Sequence, residues 1–173
     1  MSRDIEREPE IDQLAKFLNI LNAETERGVP LTAAAMLDDV LNEILEAFFA
    51  DNAESQRLLS SFNAPLGTFS SRISACYALA LIGNDELQEL TTIRKIRNKF
   101  AHRWESNSFD DDSVRDLCGN LPWRGPSEYE AEASARSRFS TAVSMLLVDF
   151  MWRVRLVINE KRQVKSWPNR ARP

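Results

Sequence analysis

Ten residues in the middle of the chain, 94–103, hold Arg94, Lys95, Arg97, Lys99 and Arg103 together with Asn98 and His102, the single histidine of 173 residues. A guanidinium keeps its charge at any pH a protein meets, whereas an imidazole gains and loses a proton near neutrality. Side by side they supply what phosphoryl chemistry asks for: a cation to hold developing negative charge and a group to move a proton. Attack of a ribose 2′-hydroxyl on its phosphate needs a base at one oxygen and an acid at the other. With one histidine per chain, a two-imidazole mechanism requires a homodimer that brings two copies of His102 together. A monomer would need another acid or base. The structural alternative is that Arg97 anchors an internal ion pair and His102 closes a helix end, where the helix dipole favours a cation.

Other chemistries fall to counting. Cys76 and Cys118 are too few for a disulfide scaffold, and with one His they are too few for a four-ligand zinc site. Cys76 reads as core, and neither cysteine has an identifiable His partner for a nucleophilic triad. Asp110, Asp111 and Asp112 are consecutive and read as a solvated acidic run at the start of a helix rather than a metal site. No metal and no cofactor are expected. No apolar run approaches the roughly 20 residues of a membrane span, and the start MSRDIEREPEID carries charge where a signal peptide is apolar. A cytoplasmic protein without membrane contact is expected.

The elements that must position these residues are helices. Period-two alternation, Asn-Gly and Asp-Gly hairpins are lacking, and there are only five glycines. Pro9 opens a first amphipathic helix through Leu14, Leu18 and Leu21 to about Gly28, and Pro30 restarts the chain into a second, through Leu37, Leu41, Ile44 and Phe48 to about residue 51. A short helix over 53–61 is broken by Asn63-Ala64-Pro65-Leu66-Gly67. Thr68 is a candidate N-cap for a third long helix to Gly83. Asp85 and Gln88 have capping-box spacing for a fourth, ending near His102. A short helix over 113–118 and a final one from 127–132 to about 163 complete an all-α, single helical-bundle domain of five to six helices. Residues 1–163 form that domain, and 164–173 form a basic, flexible tail.

At about 100° per residue, Arg97 falls within the apolar stripe of Leu90, Ile93 and Phe100. Buried there, it must meet a carboxylate, several carbonyls, a water-filled cavity or a second subunit. Asn98 and His102, four apart, share an adjacent face. Charge is unevenly spread along the chain: residues 1–150 hold 15 basic and 25 acidic side chains, net −10, and 151–173 hold seven basic and one acidic, net +6. The acidic body repels a phosphate backbone at long range, so contact with DNA or RNA must be local. Lys161, Arg162 and Lys165 are the candidates in the basic end, against the plainer reading of a solvated helix face and loose tail. No helix-turn-helix with a basic recognition helix can be drawn.

The string Arg97-Asn98-Lys99-Phe100-Ala101-His102 resembles the Arg-Asn-x-x-x-His pattern of the HEPN superfamily, small helical domains of which many are ribonucleases. That resemblance implies a dimer cleft in which Arg97 stabilises phosphate charge and His102 transfers a proton, as in a toxin-like, metal-independent ribonuclease. A longer likeness, Ala64-Pro65-Leu66-Gly67-Thr68-Phe69-Ser70-Ser71-Arg72-Ile73 and on through Tyr77-Ala78-Leu79-Ala80-Leu81-Ile82 to Phe109, Asp110, Arg115, Asp116 and Leu117, covers roughly residues 30–160 and resembles the mannitol operon repressor family of bacteria. It implies an all-helical transcriptional regulator, non-enzymatic, working through nucleic-acid contacts or a regulatory protein partner. A purely protein-binding module is the third reading. Arg72 would pair with an acid such as Glu46 or Asp116, or extend the positive cleft with Arg94, Arg97 and Arg103. Trp104 and Trp123 would stack on a base or anchor their loops.

Overall fold

A computed structural model describes residues 8–102, 108–165 and 167, with His102 described by its backbone alone. These residues form seven α-helices, two more than the lower expectation: α1 (Pro9–Ala23), α2 (Gly28–Phe48), α3 (Ala53–Ser60), α4 (Phe69–Ala78), α5 (Asn84–His102), α6 (Asp112–Gly119) and α7 (Ala135–Val157). No strand occurs among them. The short α3 and α6 fall where the sequence placed short helices, over 53–61 and 113–118, and counting both as full members of the bundle gives seven.

At the centre lies α2. Its apolar residues recur at Ala33, Leu37, Val40, Leu41, Ile44 and Leu45, a stripe wide enough to face several neighbours, and each of these six is fully enclosed. It packs most extensively on α7 and also against α1, α3, α4 and α5. One polar edge escapes burial, carrying Asp38, Asp39, Asn42, Glu43 and Glu46. Around α2 a single core gathers Phe100, Phe109, Phe139 and Phe150. Phe109 stands between Phe100 and Phe139, with ring centroids 5.2 and 5.6 Å apart, and so ties the segment before α6 to α5 and α7.

Helix ends follow capping chemistry, and where they differ from the sequence reading the caps explain why. Thr68 does cap α4: its hydroxyl accepts from Ser71 N–H at 3.1 Å, and Ser71 Oγ accepts in return from Thr68 N–H. That helix stops at Ala78, before Gly83, in a Schellman closure: Leu81 N–H reaches Cys76 O at 2.8 Å and Ala80 N–H reaches Tyr77 O at 3.0 Å. Ala80 therefore takes the left-handed conformation, φ 58°, usually given to glycine. Helix α5 starts one residue early because Glu86, not Gln88, reaches back: its Oε2 accepts from Gly83 N–H at 2.6 Å. Helix α7 waits for Ser134, which caps Ser137 N–H at 3.1 Å, and residues 127–129 form a separate 3-10 turn. Helix α1 ends at Ala23 because the chain turns extended at Glu24, whose carbonyl accepts from Arg136 of α7 at 3.0 Å.

Glu86 has a second duty. Arg153 of α7 donates to its two carboxylate oxygens at 2.7 and 2.9 Å, and to Leu81 O at 2.9 Å. One carboxylate thus joins the start of α5, the turn after α4 and the last third of α7. Partial burial pushes the Glu86 carboxyl up, but the Arg153 hydrogen bond, the Gly83 N–H and the charges of Arg153 and Arg124 outweigh it and hold it below the ordinary glutamate range.

Two predictions follow from these ends. Ala80→Gly removes the left-handed penalty and should stabilise the fold by about 0.5–1 kcal/mol, raising Tm by about 2 °C, while Ala80→Val lowers it; thermal melts of the three proteins decide this. For Glu86, the unfolded chain takes up the proton first as pH falls. Its stabilisation is whole above the ordinary glutamate range and drains away as pH drops through the lowered folded value. Glu86→Gln should therefore cost on the order of 1–2 kcal/mol at about pH 7 and progressively less as the pH falls below the ordinary glutamate range, read from urea midpoints along the pH series.

Candidate functional site

Arg94, Arg97 and Asn98 of α5 face the start of α4 across an open groove of about 420 Å³, with Gly67, Thr68 and Ser70 opposite and Asp38 of α2 at its side. Leu90, Ile93 and Phe100 are buried, as the stripe requires, and Arg97 emerges half-buried from the same face into this groove. Within the chain that guanidinium opens onto a groove. Its Nη1 donates to Asn98 Oδ1 at 3.1 Å. Neither Arg97 nor Arg94 pairs with a carboxylate among the described residues. The groove's one acid is already engaged, since Asp38 Oδ1 lies 2.8 Å from Arg72 Nη1.

Arg72 is thereby placed, and its partner is neither Glu46 nor Asp116. Helices α2 and α4 meet where Cys76 Sγ approaches Leu41 O at 3.8 Å. One turn earlier on each helix stand Arg72 and Asp38, so packing brings those two together. Glu46 lies two turns further along α2, where its side chain accepts from Asn42 at 2.8 Å, and Asp116 belongs to α6. Arg72 also donates to Leu59 O at 3.4 Å, fastening α3. It is only 13% exposed, so its role is to hold three helices at the groove's edge rather than to meet a ligand.

Three of the five described basic side chains of the C-terminal end, Arg153, Arg155 and Lys161, are committed to the fold. Arg153 is held by Glu86, and Arg155 of α7 donates to Glu8 at 2.7 Å and to Glu10 at 2.6 and 2.7 Å while lying 4.8 Å over the Trp152 ring. Lys161 Nζ donates to Glu46 O at 3.2 Å, and Arg162 N–H donates to Phe48 O at 2.7 Å. Both satisfy last-turn carbonyls of α2, a helix with no basic residue in its own last turn. The Arg162 side chain and Lys165 are exposed. The His102 side chain and the whole of Arg103, Trp104, Arg170 and Arg172 lie outside the described residues.

Trp123 anchors its loop: the indole N–H donates to Pro126 O at 2.9 Å, and the Arg138 guanidinium covers the ring at 5.6 Å. Asp111 and Asp112 lie at the start of α6, where Asp111 Oδ2 accepts from Ser108 N–H at 3.1 Å and Asp112 pairs with Arg115. Cys76 and Cys118 are buried core thiols, and burial pushes each up to about 12. Among the described residues no three of His, Cys, Asp and Glu gather as metal ligands, and no helix is long and apolar enough to cross a membrane.

One pair escaped the sequence reading. Glu89 of α5 is enclosed, 5% exposed, and its Oε1 accepts from Arg124 Nη2 at 2.5 Å. The signal was its register, four before Ile93 and seven before Ile96, which puts a carboxylate on the buried face.

No family model matches the sequence. In fold, the chain is similar to one solved in the X-ray structure of the MtlR-HPr complex from Escherichia coli, with a TM-score of 0.56 and 21% identity, covering 84% of this chain and 98% of that one. In sequence, it is similar to the mannitol operon repressors of Escherichia coli strains K12 and CFT073, 24% identical over 147 residues, 77% of this chain and 75% of each relative.

Proposed function

We propose that the chain is a cytoplasmic, non-enzymatic regulator of the mannitol operon repressor kind that works by holding a protein partner against the groove between α4 and α5. The observation that carries this is the pair Arg94 and Arg97, two guanidiniums at one open groove with no carboxylate of their own among the described residues. Such cations remain available for acidic or phosphorylated groups on a partner. The similarity to the Escherichia coli repressors, and the shared fold with a chain crystallised in complex with HPr, support a protein as that partner. Broad duplex contact is disfavoured by the net −10 of residues 1–150 and by the internal duties of Arg153, Arg155 and Lys161.

Titration of the full chain with purified HPr should give saturable binding that the double variant Arg94→Glu/Arg97→Glu weakens at least about tenfold while circular dichroism stays unchanged. Equal affinity in the variant removes the groove from the interface. Salt-sensitive binding of duplex DNA that disappears when residues 164–173 are deleted would instead place the contact in the tail. The deletion must begin at 164, because Lys161 and Arg162 close the end of α2.

The same two arginines favour a second reading, an RNA-cleaving dimer with Arg97 on the phosphate, Asn98 orienting the site and His102 moving the proton. It expects RNA cleavage in EDTA that both His102→Ala and Arg97→Ala abolish in folded protein. Cleavage that persists in both variants removes it.

A further inference from the structure

An open trough of about 330 Å³ runs between α1 and α2, and most of the surface lining it is apolar. From α1 come Gln13, Lys16, Phe17 and Ile20. From α2 come Thr32, Ala35, Met36 and Asp39. In each set the later residues follow the first by three, four and seven, so each helix turns a two-turn stripe toward the same trough. Two helices arranged in this way leave a seat shaped for a third, whose side chains enter between their ridges. Phe17, 4% exposed, closes the floor, whereas Ile20 is 46% exposed and Met36 half-buried, so the walls keep apolar surface that the fold does not cover. Ala35 is exposed and small, which lets an incoming backbone come close.

The rim sets the charge of the occupant. Beyond the trough the α2 stripe continues from Asp39 to Glu43 and Glu46, at steps of four and three, as one row of exposed acids. Neither Asp39 nor Glu43 accepts a hydrogen bond or forms an ion pair among the described residues. The Glu46 carboxylate takes only the neutral Asn42 amide, since Lys161 goes to the Glu46 carbonyl instead. The row is thus unneutralised: partial burial, then the charges of Asp39 and Glu46, raise the Glu43 carboxyl above its ordinary range. Lys16 of α1 is the one cation in the lining, on the opposite wall. One flank of the occupant must therefore carry several cations, and the other need carry none. A nucleic acid or an anionic lipid surface would be repelled by the acid row. A small apolar molecule would fill the trough and leave the row unmatched.

We propose that the trough between α1 and α2 is the docking seat for an amphipathic α-helix of another protein. Its apolar face rests on Phe17, Ile20 and Met36, and Lys or Arg residues on one flank lie along Asp39, Glu43 and Glu46. From Thr32 to Glu46 the stripe is about 21 Å long, which a helix of about 14 residues spans. The surface is separate from the groove between α4 and α5 and stands whether or not that groove binds a partner.

The test is fluorescence anisotropy of a labelled model peptide of about 14 residues, leucine on one helical face and lysine on the other, titrated with the full chain. Saturable binding with a Kd below about 100 μM is expected. Ile20→Asp, and separately Asp39→Lys/Glu43→Lys, should each weaken it at least about tenfold. Glu128→Lys/Glu132→Lys makes the same change of charge at exposed positions before α7 and should alter it by less than about twofold. A peptide with glutamate for lysine, or with the same residues reordered to break the helical period, should bind at least about tenfold more weakly. Should Ile20→Asp disturb the fold, Ile20→Ser takes its place, and the paired charge reversal tests the rim on its own. Absence of saturable binding up to about 1 mM chain overturns the proposal, as does equal affinity in the trough variants or for either control peptide. A wild-type chain that dimerises in sedimentation and turns monomeric in Ile20→Asp gives the seat to a second copy and overturns it too.

Discussion

Burial of α2 is the constraint from which the other placements follow. A helix enclosed along most of its circumference can carry charge only on its remaining edge and at its ends. Its acids therefore fall at Asp38, Asp39, Glu43 and Glu46, and the neighbouring helices must bring their cations to that edge. Arg72 does so at Asp38, and Lys161 does so at the last turn. Burial also crowds the edge: at Glu43 partial enclosure, then the charges of Asp39 and Glu46, hold the carboxyl above the ordinary glutamate range. Because Asp38 is drawn to Arg72, the adjacent groove keeps the charges of Arg94 and Arg97 in excess. Core packing thus decides which cations remain free.

The same logic separates structural from available charge in the rest of the molecule. By sequence, the richest source of positive charge is the C-terminal end. In three dimensions Arg153, Arg155 and Lys161 each close a gap in the helical framework, the first between α5 and α7, the second between α1 and α7, the third at the end of α2. A run of basic residues at the end of a helical domain is therefore poor evidence for a nucleic-acid surface when the body is acidic. Arg153, Arg155 and Lys161 there each have internal acids or carbonyls within reach.

The helical class and most helix positions were legible because apolar residues recur at three and four over long stretches, as in α2 and α5. Ends were less so. Glycine at 83 looked like a terminator, but the chain closes α4 at Ala80, where tertiary contacts of Leu81 and Ile82 outweigh the cost of a left-handed alanine. Arg97's place on an apolar stripe was visible from spacing alone, and the groove accounts for it. The Arg72 partner was not, since it depends on the register of α4 against α2, which no local pattern encodes. Glu89 could have been found by the rule that singled out Arg97, applied two turns earlier on the same helix.

Charge along α5 is segregated, with Asp85, Glu86 and Glu89 in its first half and Arg94, Lys95, Arg97 and Lys99 in its second. The helix dipole favours that order, and so the order by itself needs no ligand. Dipole stabilisation, however, is satisfied by exposed side chains in the terminal turns, as Asp85 shows. It gives no reason for a carboxylate to be enclosed in the second turn, or for an arginine to stand on the apolar stripe further along. Desolvation opposes both placements, and intramolecular partners offset it only in part: one oxygen of Glu89 and one nitrogen of Arg97 are engaged. What the fold leaves unfilled has opposite sign at the two places. One helix therefore keeps an unmatched acceptor in its first half and unmatched donors in its second.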